Sequence, residues 1–119
     1  APVRSLFAER GAEGKFALRR GFALAPGERV LLAEDVVTTG GSVMEVAPLV
    51  TGAGATVAGI AAIADRSRGG FRPPVPFFAL TALNFETWPA DALPAHLAGV
   101  PVDKPGSRPG APRVAEARP

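Results

Sequence analysis

The stretch Arg29-Val30-Leu31-Leu32-Ala33-Glu34-Asp35-Val36-Val37-Thr38-Thr39-Gly40-Gly41-Ser42 decides the fold. Arg29 to Ala33 reads as an apolar β-strand, and the residues from Ser42 to about Val50 carry a helical pattern. Between them lies an acidic, hydroxyl- and glycine-rich turn, placed after the carboxyl end of a strand and before the amino end of a helix. Unpaired backbone N–H groups and the helix dipole favour an anion there. Gly40 and Gly41 let the backbone approach a bound group closely, and Thr38, Thr39 and Ser42 add hydroxyls. Glu34 and Asp35 would repel a bare phosphate, so their presence points to ligand hydroxyls, a divalent cation, or both. A sugar phosphate meets all of these requirements.

Outward from this turn the chain alternates strand and helix patterns. Val3 to Ala8 is a candidate strand, Glu9 to Lys15 a polar loop, and Phe16 to Phe22 a second strand. Pro26-Gly27 is a turn signal. Pro48 threatens to shorten or kink the helix, and Gly52 and Gly54 close it. Thr56 to Ala64 is a continuous apolar run that suits a strand covered on both faces. The charged loop Asp65-Arg66-Ser67-Arg68-Gly69-Gly70 follows. Pro76 to Leu83 is a further strand, and a short helix is expected around Ala90 to Leu97. This order implies an α/β sheet with parallel members, whose ligands bind outside the carboxyl ends of the strands. The Glu34–Ser42 turn and the Asp65–Gly70 loop both fall on that rim.

Composition narrows the class. With 119 residues and 47% hydrophobic content the chain supports one core. Apolar runs stay well short of the ~18 residues needed to span a bilayer, and the start lacks a signal-peptide pattern; a cytoplasmic protein with no membrane partner is expected. The absence of cysteine excludes disulfides, a thiolate nucleophile and a cysteine zinc site. Residues from Lys104 onward carry a net charge of +3, which leaves the remainder at −1. A basic tail on a near-neutral body is a poor nucleic-acid footprint, so no nucleic-acid partner is expected. Residues 1–103 are read as the folded core and residues 104–119 as a disordered basic tail. The lone His96 lacks metal-ligand companions and is read as structural, while Phe71, Phe85 and Trp88 are read as packing residues.

The thirteen residues from Val30 to Ser42 resemble the phosphoribosyl-diphosphate (PRPP) binding motif of type I phosphoribosyltransferases. Phe7-Ala8-Glu9-Arg10, Gly14-Lys15-Phe16, Leu18-Arg19-Arg20-Gly21-Phe22, Asp65-Arg66 with Gly69-Gly70, and Lys104-Pro105-Gly106-Ser107-Arg108 resemble the orotate phosphoribosyltransferases in particular. The resemblance implies a Rossmann-like, mostly parallel sheet flanked by helices, truncated at its amino terminus, and a chain equivalent to the carboxyl-terminal two-thirds of such an enzyme. It implies transfer of the 5-phosphoribosyl group from PRPP to orotate, giving orotidine 5′-monophosphate and diphosphate in pyrimidine biosynthesis.

The same resemblance assigns roles. Glu34 and Asp35 would hold the ribose hydroxyls, and Asp35 is counted as catalytic. Val36, Val37, Thr38, Thr39, Gly40, Gly41 and Ser42 would complete the PRPP site. Thr38 and Arg66 would contact orotate, the arginine fork pairing with its carboxylate. Arg10 and Lys15, on the Glu9–Lys15 loop, would neutralise the leaving diphosphate at a neighbouring subunit's site, which implies a homodimer with shared active sites. Mg²⁺ would be the cofactor, bound mainly through PRPP and water with no direct protein ligand. Two other classes stay open from the residues themselves: a phosphoribosyltransferase for a purine or uracil, and a non-catalytic PRPP-sensing regulator. As plain structure, Ser42 would be only a helix N-cap, and Arg10 and Lys15 only solvated charges.

Overall fold

Strand β3, Arg29–Val37, runs four residues further than the apolar pattern alone indicates, so the acid pair lies on the strand and the turn shrinks to residues 38–40. The computed structural model describes residues 2–19 and 21–102; Arg20 and the tail expected from Lys104 lie outside the described residues. Before β3 come β1, Ala8–Arg10, and β2, Phe16–Leu18. After it follow α1, Gly41–Gly52, β4, Thr56–Asp65, and β5, Phe77–Ala82. The chain divides into two compact units at the Phe85/Glu86 junction.

In the first unit β3, β4 and β5 form a parallel sheet in that order. The β3–β4 register pairs Leu32 with Ile60 and Glu34 with Ala62, and β4–β5 pairs Ile60 with Phe77. Paired residues point to one side of a pleated sheet, so Leu32, Ile60, Ala62 and Phe77 share a face. Helix α1 packs on that face through Val43 and Val50, and Val37, Ala55 and Phe71 complete the core. The opposite face carries Leu31, Ile63, Phe78 and Leu80, all largely exposed. The Thr56–Ala64 run, expected to be covered on both sides, is therefore covered on one.

Helix α1 continues through Pro48. A mid-helix proline forfeits one backbone hydrogen bond and costs ~3 kcal/mol, but burial of Val43 and Val50 on either side of it holds the helix to the sheet. The stop comes at Gly54, whose positive φ of 78° lets the Ala55 amide reach back to the Val50 carbonyl at 3.1 Å.

The first two strands differ from the sequence reading. The expected strand Val3–Ala8 keeps only Ala8, and Glu9 and Arg10, expected in a loop, are paired in an antiparallel hairpin with Phe16–Leu18. The reason is cross-strand packing: Arg10 sits opposite Phe16 and lays its guanidinium 4.2 Å from that ring's centre. In the second unit, the helix expected over Ala90–Leu97 contracts to a single 3-10 turn, Ala95–Leu97. Pro94 immediately precedes it and breaks the helical ladder. There the Trp88 and His96 rings meet edge to face at 5.7 Å, which agrees with a structural role for both.

Candidate functional site

The backbone of the turn leaving β3 leaves amide donors open at the start of α1. Gly40 occupies the N-cap position of α1 with φ 81°, a left-handed conformation that glycine adopts without a Cβ penalty. No side chain caps this helix, so Ser42 does not act as its N-cap. Thr39 Oγ1 accepts from the Gly41 amide at 3.3 Å and the Gly40 carbonyl accepts from the Met44 amide at 3.0 Å. The intervening first-turn amides of α1, those of Ser42 and Val43, have no intrahelical acceptor by the geometry of a helix start. A shallow recess opens above them, lined by Glu34, Val36, Val37, Thr38, Thr39, Gly40, Gly41, Ser42 and Val43. Eight of the nine residues expected to bind PRPP thus line one recess. Val37 contributes only backbone to it, since its side chain is 2% exposed in the core.

Asp35 is the ninth, and it is not among the residues that line this recess. The two carboxyls still interact. Partial burial, then the hydrogen bond shared with Asp35, raises the Glu34 pKa above the ordinary carboxylate value. The Val36 amide, donating to Asp35 Oδ1 at 2.7 Å, and then the hydrogen bond to Glu34 hold Asp35 below its ordinary value. Of the two, Asp35 gives up its proton more readily than Glu34.

The Asp65–Gly70 loop lies on the same rim. The Arg66 amide donates to the Val37 carbonyl at 2.7 Å, so its backbone is fastened to the end of β3 beside the turn. The Arg66 guanidinium carbon lies 5.3 Å from the centre of the Phe85 ring. Phe85 is 56% exposed, so of the core and its edge it takes the edge, where it forms a surface platform for the arginine. Arg68, at an unusual positive φ of 54°, donates to the Phe85 carbonyl at 2.7 Å and helps to hold that platform. A second, wider recess is lined by Asp65, Arg68, Gly69, Ala82 and Asn84, at the ends of β4 and β5. Asp65 accepts from the Ser67 amide at 2.7 Å through Oδ1, while Ser67 Oγ is buried with no hydrogen-bond partner among the described residues.

Arg10 and Lys15 are not gathered at these recesses. Arg10 donates to Glu45 of α1 at 2.9 Å and to the Gly14 carbonyl, and both side chains of the ion pair are about half exposed. Lys15 is exposed, with its carbonyl accepting from Gly11 at the hairpin turn. Phe71 was read only as packing, and its contact with Gly40, described below, has no signature in the sequence because the two are 31 positions apart.

A parallel sheet whose rim carries an acid pair, a glycine turn at a helix start and an arginine joined by its backbone to the neighbouring strand defines an α/β protein with the donors and acceptors that an anionic, hydroxyl-bearing ligand would use. The chain belongs to the phosphoribosyl transferase domain family, whose model matches residues 4–94. Among curated relatives it is 53% identical over 106 residues to orotate phosphoribosyltransferase of Novosphingobium aromaticivorans, covering 89% of this chain and 54% of that protein. It is 49% identical over 106 residues to orotate phosphoribosyltransferase of Heliobacterium modesticaldum, covering 89% of this chain and 55% of that one. The chain therefore spans about half the length of these relatives. A crystal structure of adenine phosphoribosyltransferase from Thermoanaerobacter pseudethanolicus superposes with a TM-score of 0.53 at 19% identity, over 69% of this chain and 50% of that one. That likeness shows the shared fold. Among the described residues no helix is long and apolar enough to cross a membrane.

Proposed function

We propose that this chain supplies the PRPP-binding and base-recognising rim of an orotate phosphoribosyltransferase, which transfers the phosphoribosyl group from PRPP to orotate and releases diphosphate. The observation that carries this reading is the fastening of Arg66 to Val37 beside the open turn: a carboxylate-pairing fork and an anion cradle lie on adjacent strand ends. In the same reading the protein is cytoplasmic, a homodimer, and uses Mg²⁺.

Displacement of diphosphate at the anomeric carbon of ribose develops positive charge on the ring, so catalysis rests on positioning and electrostatics rather than on a protein nucleophile. The amides of Ser42 and Val43 and the hydroxyls of Thr38 and Thr39 face the 5′-phosphate. The Asp35 carboxyl accepts from a ribose hydroxyl and favours the developing cation, while Glu34 takes the neighbouring hydroxyl. Arg66 pairs with the carboxylate of orotate, which uracil lacks. The described residues hold no cluster of three metal-ligating side chains, and a two-carboxylate donor set fits Mg²⁺, which retains waters and takes substrate oxygens. Glu34 and Asp35 are the residues that would hold the ion, through its retained waters and the ribose hydroxyls rather than as direct ligands, and it would supply charge neutralisation of the diphosphate. Arg10 and Lys15 act as cations for the leaving group only after Arg10 exchanges Glu45 for that anion.

Calorimetric titration tests the reading. The chain is expected to bind PRPP with Mg²⁺ and then to prefer orotate over uracil. Equal uptake of the two pyrimidines would remove the orotate assignment and leave the phosphoribosyl site standing.

A further inference from the structure

Phe71 directly follows the Asp65–Gly70 loop, and the fold returns its ring onto the turn that ends β3. An ideal Cβ placed on Gly40 would lie 2.1 Å from both Cδ2 and Cε2 of Phe71 and 2.9 Å from Cζ. The ring fills the space in which any other side chain at position 40 would begin. Phe71 is itself held: it is 9% exposed and meets Phe77 of β5 edge to face at 5.0 Å. The other end of the same short segment is pinned by the Arg66 amide on the Val37 carbonyl, at 2.7 Å. Residues 66 to 71 therefore grip the turn from both sides, at Val37 before it and at Gly40 after it.

We propose that Phe71 is a positioning residue for the phosphate-binding turn: its ring packs against Gly40, fixes that residue's left-handed backbone, and so aims the first amides of α1. Phe71 acts through Gly40 and does not touch the ligand. The inference rests on the reading of Glu34–Ser42 as the phosphate seat. It adds that phosphate affinity depends on a residue carried by the base-side loop, so the two halves of the rim are mechanically joined.

The test titrates PRPP with Mg²⁺ into the unmodified chain, Phe71→Leu and Phe77→Leu, each first checked for a cooperative melt. Phe77→Leu thins the same ring pair, but the three atoms nearest the Gly40 position all belong to Phe71. Phe71→Leu is expected to raise the PRPP dissociation constant by ~10-fold or more, the loss of about one hydrogen bond to a charged group. Phe77→Leu, which loosens the Phe71 ring only from its far side, is expected to lower the melting temperature and to raise that constant clearly less than Phe71→Leu does. If Phe71→Leu fails to fold, Phe71→Met, whose flexible side chain adapts to the space the ring leaves, carries the same expectation. Equal weakening by both variants, or full affinity in a folded Phe71 variant, overturns the inference alone. Failure of the unmodified chain to bind PRPP overturns the site reading and the inference with it.

Discussion

Gly40→Ala tests the architecture of the turn with a magnitude that separates into two parts. The backbone at Gly40 has φ 81°, and placing an L-residue in the left-handed region costs ~1–2 kcal/mol. The new methyl would also sit 2.1 Å from two ring carbons of Phe71, and overpacking of this kind costs ~1–3 kcal/mol. Together the loss is about 2–5 kcal/mol. Gly27→Ala is the internal control, since Gly27 has the same φ of 81° with nothing within 4 Å of its Cβ position. It bears the backbone cost alone, ~1–2 kcal/mol. Urea denaturation of the two variants gives the difference directly, at an unchanged m-value. A Gly40→Ala loss no greater than that of Gly27→Ala would refute the Phe71 contact.

Further outcomes follow from the same geometry. Arg66→Ala is expected to weaken orotate by ~1.5–3 kcal/mol in calorimetry, the value of a hydrogen bond to a charged group, with PRPP binding preserved. Ile60→Ala, at a side chain 2% exposed beneath α1, is expected to cost ~2–5 kcal/mol in urea denaturation. Glu45→Gln breaks an ion pair whose partners are 44% and 50% exposed, so its stability effect should stay under ~1 kcal/mol, falling further at high salt. The pH profile carries opposite signs within the acid pair. Asp35, held low, contributes stability above its ordinary value of 3.8 that is lost as pH falls through its lower folded value. Glu34, held high, binds its proton more tightly when folded, so its destabilising contribution is absent below 4.5 and grows as pH rises through its folded value. Melting curves from pH 3 to 7 should therefore show Glu34→Gln relatively more stable at the upper end and Asp35→Asn less so.

The parallel sheet and the rim that carries the candidate site were legible because they rest on local pattern. Apolar runs ending in Glu34-Asp35 and in Asp65-Arg66 gave strands whose carboxyl ends face one side. What the pattern missed came from contacts between distant residues. The continuation of β3 to Val37 depends on pairing with Ala64 and Asp65, which no local apolar signal at Glu34-Asp35 reports. The pairing of Glu9 and Arg10 with a second short strand depends on Phe16 across the hairpin. The exposure of Phe85 follows from its position beyond the end of β5, and the sequence leaves open whether it packs in the core or at its edge. The site itself divides the same way: its backbone cradle was carried by adjacent letters of the chain, while the ring of Phe71 that shapes it was not.

The central claim is that the turn after β3 seats a sugar phosphate. Backbone amide NMR of the chain, titrated with ribose 5-phosphate, tests it most directly. The account predicts that the largest shifts fall on the amides from Thr39 to Val43, at a single saturable site. Saturable shifts confined to other parts of the chain, with those five amides unmoved, would contradict it.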